Sequence, residues 1–267
     1  MTEGDAATVR AWLATQAAAD PARRRFGAGS HRYQLRPPLS PERAAAVAER
    51  LGGALSPWHR GWLTALGDGG AGPYHGLFPL DHPLQHALAE GTFDPRAPGR
   101  ALYRGAVGLG HLGCGQLALL IVGGPHRGQV WVDARAGGGG VVPVAANVEI
   151  YVAAWLRGAS ENQLPPPACP PGACPLPRAL SSYLGAIESA RGLPAGSLDR
   201  EPLTAALAAL APGAIRVAAS GDDPFFAADQ ALAVCVACEV MLDHLGRVGL
   251  PRDRVQPGEN WPPEPGF

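Results

Sequence analysis

Lysine is absent from the 267 residues: all 22 basic side chains are arginine. Schiff-base catalysis and a P-loop lysine are therefore excluded. Charge of either sign is scarce, with charged residues at 17%, and the 22 arginines nearly cancel 23 acids to leave a net charge of -1. That balance argues against a generic nucleic-acid-binding surface. No apolar run approaches the roughly 18 residues that mark a membrane span, so no membrane partner is expected. Met1 to Asp20 contain Glu3 and Asp5 and no apolar h-region. The segment does not read as a signal peptide, and the cytoplasm is the expected compartment. Cysteine is sparse and odd in number, at five, which suits a reducing environment.

What is present is apolar material for a sizeable core: 46% of residues are hydrophobic, so folding needs neither disulfides nor metal. The charge is unevenly spread, with 8 arginines against 5 acids in residues 1–50 and 3 against 8 in residues 219–267. Cys169-x4-Cys174 lies in a proline-rich stretch and Cys235-x2-Cys238 in the apolar run "ALAVCVACEVML". Four thiolates in two pairs can hold zinc, whereas cysteines in such an apolar run are ordinary core residues, and a disulfide in the proline loop or plain free thiols are the other readings. The spacing leaves that question open; no cofactor or metal is expected.

Along the chain, the first twenty residues predict a helix anchored by Trp12 and Leu13, followed by an extended, turn-rich stretch to Ser40. Ser40-Pro41 and Ser56-Pro57 each combine an N-cap with proline at the first helical position. They open helices that end at Gly52-Gly53 and Gly67. "GDGGAGPYHGLFPL" is a loop leading to a strand start at Leu77 and Phe78, and residues 82–90 form a short helix. Short apolar runs predict strands at 107–112, 116–122 and 128–132, then "VVPVA" and a helix over 147–156. The proline-rich residues 163–177 are a stiff linker or long loop. Helices follow near 178–190 and 201–210, then a short strand at 214–218 and a long helix over 225–246. The order is α+β: a mainly antiparallel sheet with packed helices, plus a helical C-terminal extension.

Motifs of catalysis are weak. The glycines of "GAVGLGHLGCG" match neither dinucleotide-binding nor P-loop spacing and read as turns. His111 and Cys114, with Asp133 or Glu149 to orient the histidine, form a conceivable thiol–imidazole pair, yet three residues across a turn is a poor way to build one. His75, His82 and His86 include an i,i+4 pair but lack the glutamate of a zinc-protease helix. Asp222-Asp223 read as a turn and helix cap. No catalytic residue is assigned. Trp58 and Trp62, one turn apart, are expected to dock a helix on the sheet, with Trp131 as counterpart on the hairpin and Trp155 completing the core.

Several segments together resemble the SMI1/KNR4 family, also called the SUKH superfamily, over residues 26–158. The features are Leu55, Pro57, Trp58 and Leu63 in one helix, and the Gly67-Asp68-Gly69-Gly70 end. They continue with the turn of His111, Gly113, Cys114 and Gly115, and the strand of Gly128, Val130, Trp131 and Asp133. The closing element holds Tyr151, Trp155 and Leu156. The resemblance implies a single α+β binding scaffold without a shared catalytic residue, and many bacterial members are immunity proteins that neutralise toxins. It divides the chain into an N-terminal helix (1–25), the SMI1/KNR4-like domain (26–158), a proline-rich linker (159–178) and a helical extension or small second domain (179–267). The expectation is a cytoplasmic, non-enzymatic immunity protein whose partner is another protein, a cognate toxin domain. It would be bound through Trp58, Tyr74, His75 and Asp133 with the acidic C-terminal tail. A regulatory adaptor is the alternative, and a thiol enzyme using Cys114 and His111 a third.

Overall fold

A computed structural model describes residues 1–157, 175–196 and 200–218, together with part of 230–256. Residues 159–174 of the predicted linker, Cys169, Cys174, Asp222, Asp223, Cys235 and the acidic tail beyond 256 lie outside the described residues, while linker residues 175–178 are not linker but the first turn of a helix.

The chain folds as α+β around a four-stranded antiparallel meander, β1 (Ala106–Gly113), β2 (Gln116–Ile121), β3 (Val130–Asp133) and β4 (Val141–Ala145), in that spatial order. The register pairs Leu119 of β2 with Gly108 on one side and Trp131 on the other. Period-two alternation splits β2 between two cores. Ala118 and Leu120 join Val107, Leu109, Val130 and Val132 on one face. Leu117, Leu119 and Ile121 face the other with Ala106 and Trp131.

Helices cover the first face: α1 (Glu3–Ala19), α3 (Pro41–Arg50), α4 (Pro57–Ala65) and α6 (Val148–Leu156) supply Leu13, Val47, Trp62, Leu63 and Val152. The caps at Ser40 and Ser56 form, Ser40 Oγ accepting the Arg43 N–H and Ser56 Oγ that of His59, and Asn147, expected only as the first residue of its helix, also caps it, its Oδ1 accepting the Ile150 N–H. The N-terminal helix is part of this core, with Ala6, Val9 and Leu13 buried and Trp12 edge-on to Trp155 at 4.9 Å. The second face is covered by Phe78, Phe93, Leu102 and Tyr103 and by the C-terminal residues. Leu180 of α7 (Pro175–Ala190) and Leu207 of α8 (Arg200–Ala208) sit there with Ile215, Leu232 and Leu242.

Four expectations change. The stretch before Ser40 contains a helical turn, α2 (Ala28–His31), entered through Gly27 at φ 75°. Leu77 forms only an isolated bridge, to Gly70, rather than a strand. The helix predicted over 225–246 does not reach back to 231: Ala231 bridges Ala218, and the Leu232 N–H donates to the Val217 carbonyl at 2.8 Å. A short apolar run containing valines fits helix and strand alike, and the pairing edge at Val217 decides it. Trp131 is not the counterpart of Trp58 and Trp62. It lies on the opposite face, edge-on to Phe93 at 5.4 Å.

The loop between α4 and α5 (Pro83–Leu88) is held by its glycines and Asp68. Gly70, at φ 94°, approaches so closely that a Cβ would lie 2.5 Å from the Gln34 carbonyl oxygen. Asp68 accepts the N–H groups of Leu80 (2.7 Å) and Asp81 (3.0 Å). Burial raises its pKa, and those two donors work against the rise.

The outer edge of β1 is closed by backbone and by one side chain. Phe78 N–H donates to the Leu109 carbonyl, and Gln85, 1% exposed, acts as a surrogate strand. Its amide donates to the Gly108 carbonyl at 2.8 Å and accepts the Gly108 N–H at 2.8 Å. Gln85→Leu keeps the volume but orphans both buried groups, so denaturant unfolding should show a loss of about 2–4 kcal/mol. An unchanged midpoint would mean that Gln85 does not close this edge.

Candidate functional site

The β1–β2 turn is built from two residues, Cys114 (φ 54°) and Gly115 (φ 76°), both left-handed, as a tight right-twisted hairpin requires. His111 steadies it, its Nε2 accepting the Gly115 N–H at 3.2 Å. His75 lies beside it, the two rings stacked with centroids 5.7 Å apart. The His75 Nε2–H donates to the Val234 carbonyl at 2.9 Å, because a carbonyl only accepts. In a neutral ring Nδ1 then accepts from the Ser30 hydroxyl, also at 2.9 Å. One imidazole thus ties the α2 turn to the C-terminal segment across the end of the sheet.

The Cys114 thiol, 1% exposed, points to the Cys238 thiol at 3.5 Å, with no disulfide between them. A catalytic thiol needs access and a nearby base. Here the sulfur is enclosed and contacts a second thiol, while Nε2 of His111 already accepts a backbone N–H. Elsewhere His82 Nδ1 accepts the Leu84 N–H at the start of α5, and His86 Nε2 is 3.7 Å from Asp81. Among the described residues, no group of three or more His, Cys, Asp or Glu is arranged to hold a metal ion.

The four residues expected to form a binding face do not come together at the surface. Tyr74 is 1%, His75 7% and Asp133 3% exposed. Only Trp58 is half-buried rather than buried, its ring 5.3 Å from that of Trp62. Asp133 is consumed by structure. It accepts the Tyr103 hydroxyl at 2.7 Å, the Arg135 backbone N–H, and the Arg135 guanidinium through both oxygens. That pairing holds the guanidinium pKa above its ordinary value. The carboxylate orients a turn at the end of β3 and presents nothing to a partner.

The surface offers instead an open groove of about 590 Å³ between α1 and residues 32–38. Leu13, Leu35 and Leu66 line it, Arg10, Arg32 and Arg36 add cations, and among the described residues none that lines it is acidic, though Arg36 also acts electrostatically on the buried Asp68. Asp20, the nearby acid, is engaged. Burial opposes its ionisation, but the N–H groups of Arg24 and Arg25 and the Tyr33 hydroxyl outweigh burial and lower its pKa. Arg23, Arg24 and Arg25 are exposed. The arginine excess of residues 1–50 was visible in the sequence, but its convergence on a groove was not. The Cys114–Cys238 pairing had no sequence signal, since the residues are 124 positions apart.

No protein-family model matches the chain, no curated protein matches it, and no solved structure matches it.

The histidines carry a pH signature. Burial lowers the pKa of His59 to about 4 and, with the nearby His75 as a lesser cause, that of His31 to about 4. Both are neutral in the fold but protonate near 6.5 when unfolded. The unfolded chain therefore binds more protons between pH 6.5 and 4, and stability falls as pH drops through that window. Each contributes up to about 3 kcal/mol of that loss. His59→Leu should flatten the acid-side slope of stability against pH in urea unfolding. An unaltered slope would show that folding does not lower the His59 pKa.

Proposed function

We propose that this chain is a cytoplasmic, non-enzymatic protein-binding protein of the SMI1/KNR4 type, an immunity factor that neutralises a toxin domain. Two things support the reading. Residues 26–158 carry the family-like segments, and those segments do structural work in the fold: Asp68 clamps a loop, Gly115 turns a hairpin and Asp133 anchors an arginine. A binding scaffold requires a stable frame and a complementary surface rather than a reactive centre.

The observation that carries the proposal is the groove with an apolar floor, three arginines and no acid among the described residues that line it. Apolar burial supplies affinity at such a site, and cations arranged on its rim select an acidic partner segment. A nucleic acid fits less well, because three leucines interrupt the cationic lining and the net charge is -1. The binding face thus moves from Tyr74, His75 and Asp133 to α1 and residues 32–38, with Trp58 kept as the half-buried aromatic on α4. An adaptor role for the C-terminal part has less support, since Leu207, Ile215 and Leu232 are spent on the sheet.

The test is co-purification of the full chain with toxin domains encoded beside its gene, followed by titration calorimetry at rising salt. A one-to-one complex that weakens with salt is expected. Arg32 sits at φ 53°, a conformation that aspartate tolerates, so Arg32→Asp reverses a groove charge without straining the turn. It should weaken the complex roughly tenfold or more while leaving stability unchanged. No complex with any such domain would overturn the immunity reading, and a complex indifferent to Arg32 would overturn the groove.

A further inference from the structure

The described thiols form a pair that neither the immunity reading nor the groove uses. Cys114 and Cys238 are each 1% exposed, their sulfurs are 3.5 Å apart, and they stand 124 residues apart in the chain. A disulfide needs about 2.05 Å between sulfurs, so the pair must close by roughly 1.5 Å. Side-chain torsions make such a movement without a change of fold. From this juxtaposition we infer that Cys114 and Cys238 are a latent cystine, a redox site whose oxidation staples the C-terminal segment to the central hairpin.

Three features of the turn bear on this. First, Cys114 holds φ 54° in a two-residue hairpin turn, where asparagine, aspartate and glycine are the residues of choice. A cysteine there accepts a poor backbone conformation, and what it adds is a sulfur on the inner side of the turn. Second, the turn is rigid: the Gly115 N–H is held by His111, and Gly113 pairs with Gln116. The Cys114 sulfur therefore has a defined position. Third, the opposing segment is docked independently of the thiols. His75 donates to the Val234 carbonyl, the Leu232 N–H donates to Val217, and Leu232 packs within 3.7 Å of where a Gly115 Cβ would stand. The reduced protein thus brings the two sulfurs together before any bond forms.

The oxidant is a low-molecular-weight disulfide. The thiolate of one cysteine attacks it, forming a mixed disulfide and expelling one small thiol. The second cysteine then attacks the protein sulfur of that adduct, forming the Cys114–Cys238 bond and expelling the other small thiol. Two protein thiols are oxidised, one small disulfide is reduced to two thiols, and the protons released by the cysteines end on those products. Both sulfurs are enclosed, so the first attack requires Cys238 to move locally away from the turn. Oxidation of the folded protein is accordingly slow, and after closure that movement is suppressed. In a reducing compartment such a pair is regulatory rather than structural.

The experiment uses the full chain, purified reduced and equilibrated in glutathione buffers from reducing to oxidising. Thiols are quenched by alkylation, and the protein is digested and mapped by mass spectrometry. The expected result is one dominant cross-linked peptide joining Cys114 to Cys238, with Cys169, Cys174 and Cys235 still alkylated. Tm should rise by roughly 5 °C or more on oxidation and return with dithiothreitol. Cys238→Ala should abolish both the cross-link and the Tm rise. The smaller change Cys238→Ser provides the same readout if the alanine variant does not fold. The inference is overturned if both cysteines stay alkylatable under oxidising conditions, or if Cys238 pairs instead with Cys235. It is also overturned if the purified protein holds stoichiometric zinc that protects these thiols from alkylation.

Discussion

Burial of β2 on both of its faces is the constraint from which the rest of the architecture follows. A strand whose odd and even side chains are apolar from Leu117 to Ile121 leaves no face for water, so two layers must be recruited to cover it. Ala118 and Leu120 are covered by the helices of the N-terminal half, and Leu117, Leu119 and Ile121 by the segment around Phe93 and Tyr103 and by C-terminal residues. The sheet is a partition inside the protein rather than a wall at its surface.

The partition explains where the polar groups sit. Groups at the ends and edges of the sheet are overlaid by another layer and must find partners inside it. Gln85 completes the edge of β1, Asp133 gathers Tyr103 and Arg135 at the end of β3, and His75 spans from Ser30 to Val234. Each looks, in isolation, like a residue available for chemistry. Each is spent on closing the fold. Outside the sandwich, where α1 meets residues 32–38, leucines and arginines share one groove.

The pairing of Cys114 with Cys238 belongs to the same logic. The C-terminal segment covers the second face of the sheet, and its contact with the β1–β2 turn places two thiols from distant parts of the chain side by side. Hydrophobic burial docks that segment, and hydrogen bonds at Val217 and Val234 set its register. The sulfurs inherit their proximity from both.

Much of the local structure was legible in the residues. Ser40-Pro41, Ser56-Pro57 and Asn147 start helices because their side chains satisfy backbone N–H groups that no helix can satisfy itself. The apolar runs of β1 to β4 and their glycine turns announce strands by short-range pattern alone. The sequence by itself thus determined the order and type of most elements, the α+β class, and the exclusion of lysine-based chemistry. Tertiary structure alone decided which face of the sheet Trp131 occupies, that Ala231 and Leu232 extend rather than coil, and that Tyr74, His75 and Asp133 are enclosed. It also decided that three arginines converge on one groove and two thiols on one contact. The physical reason is range. Capping and periodicity act over a few residues, whereas burial and pairing depend on which distant segment covers a surface, and nothing local to Asp133 or Cys114 encodes that.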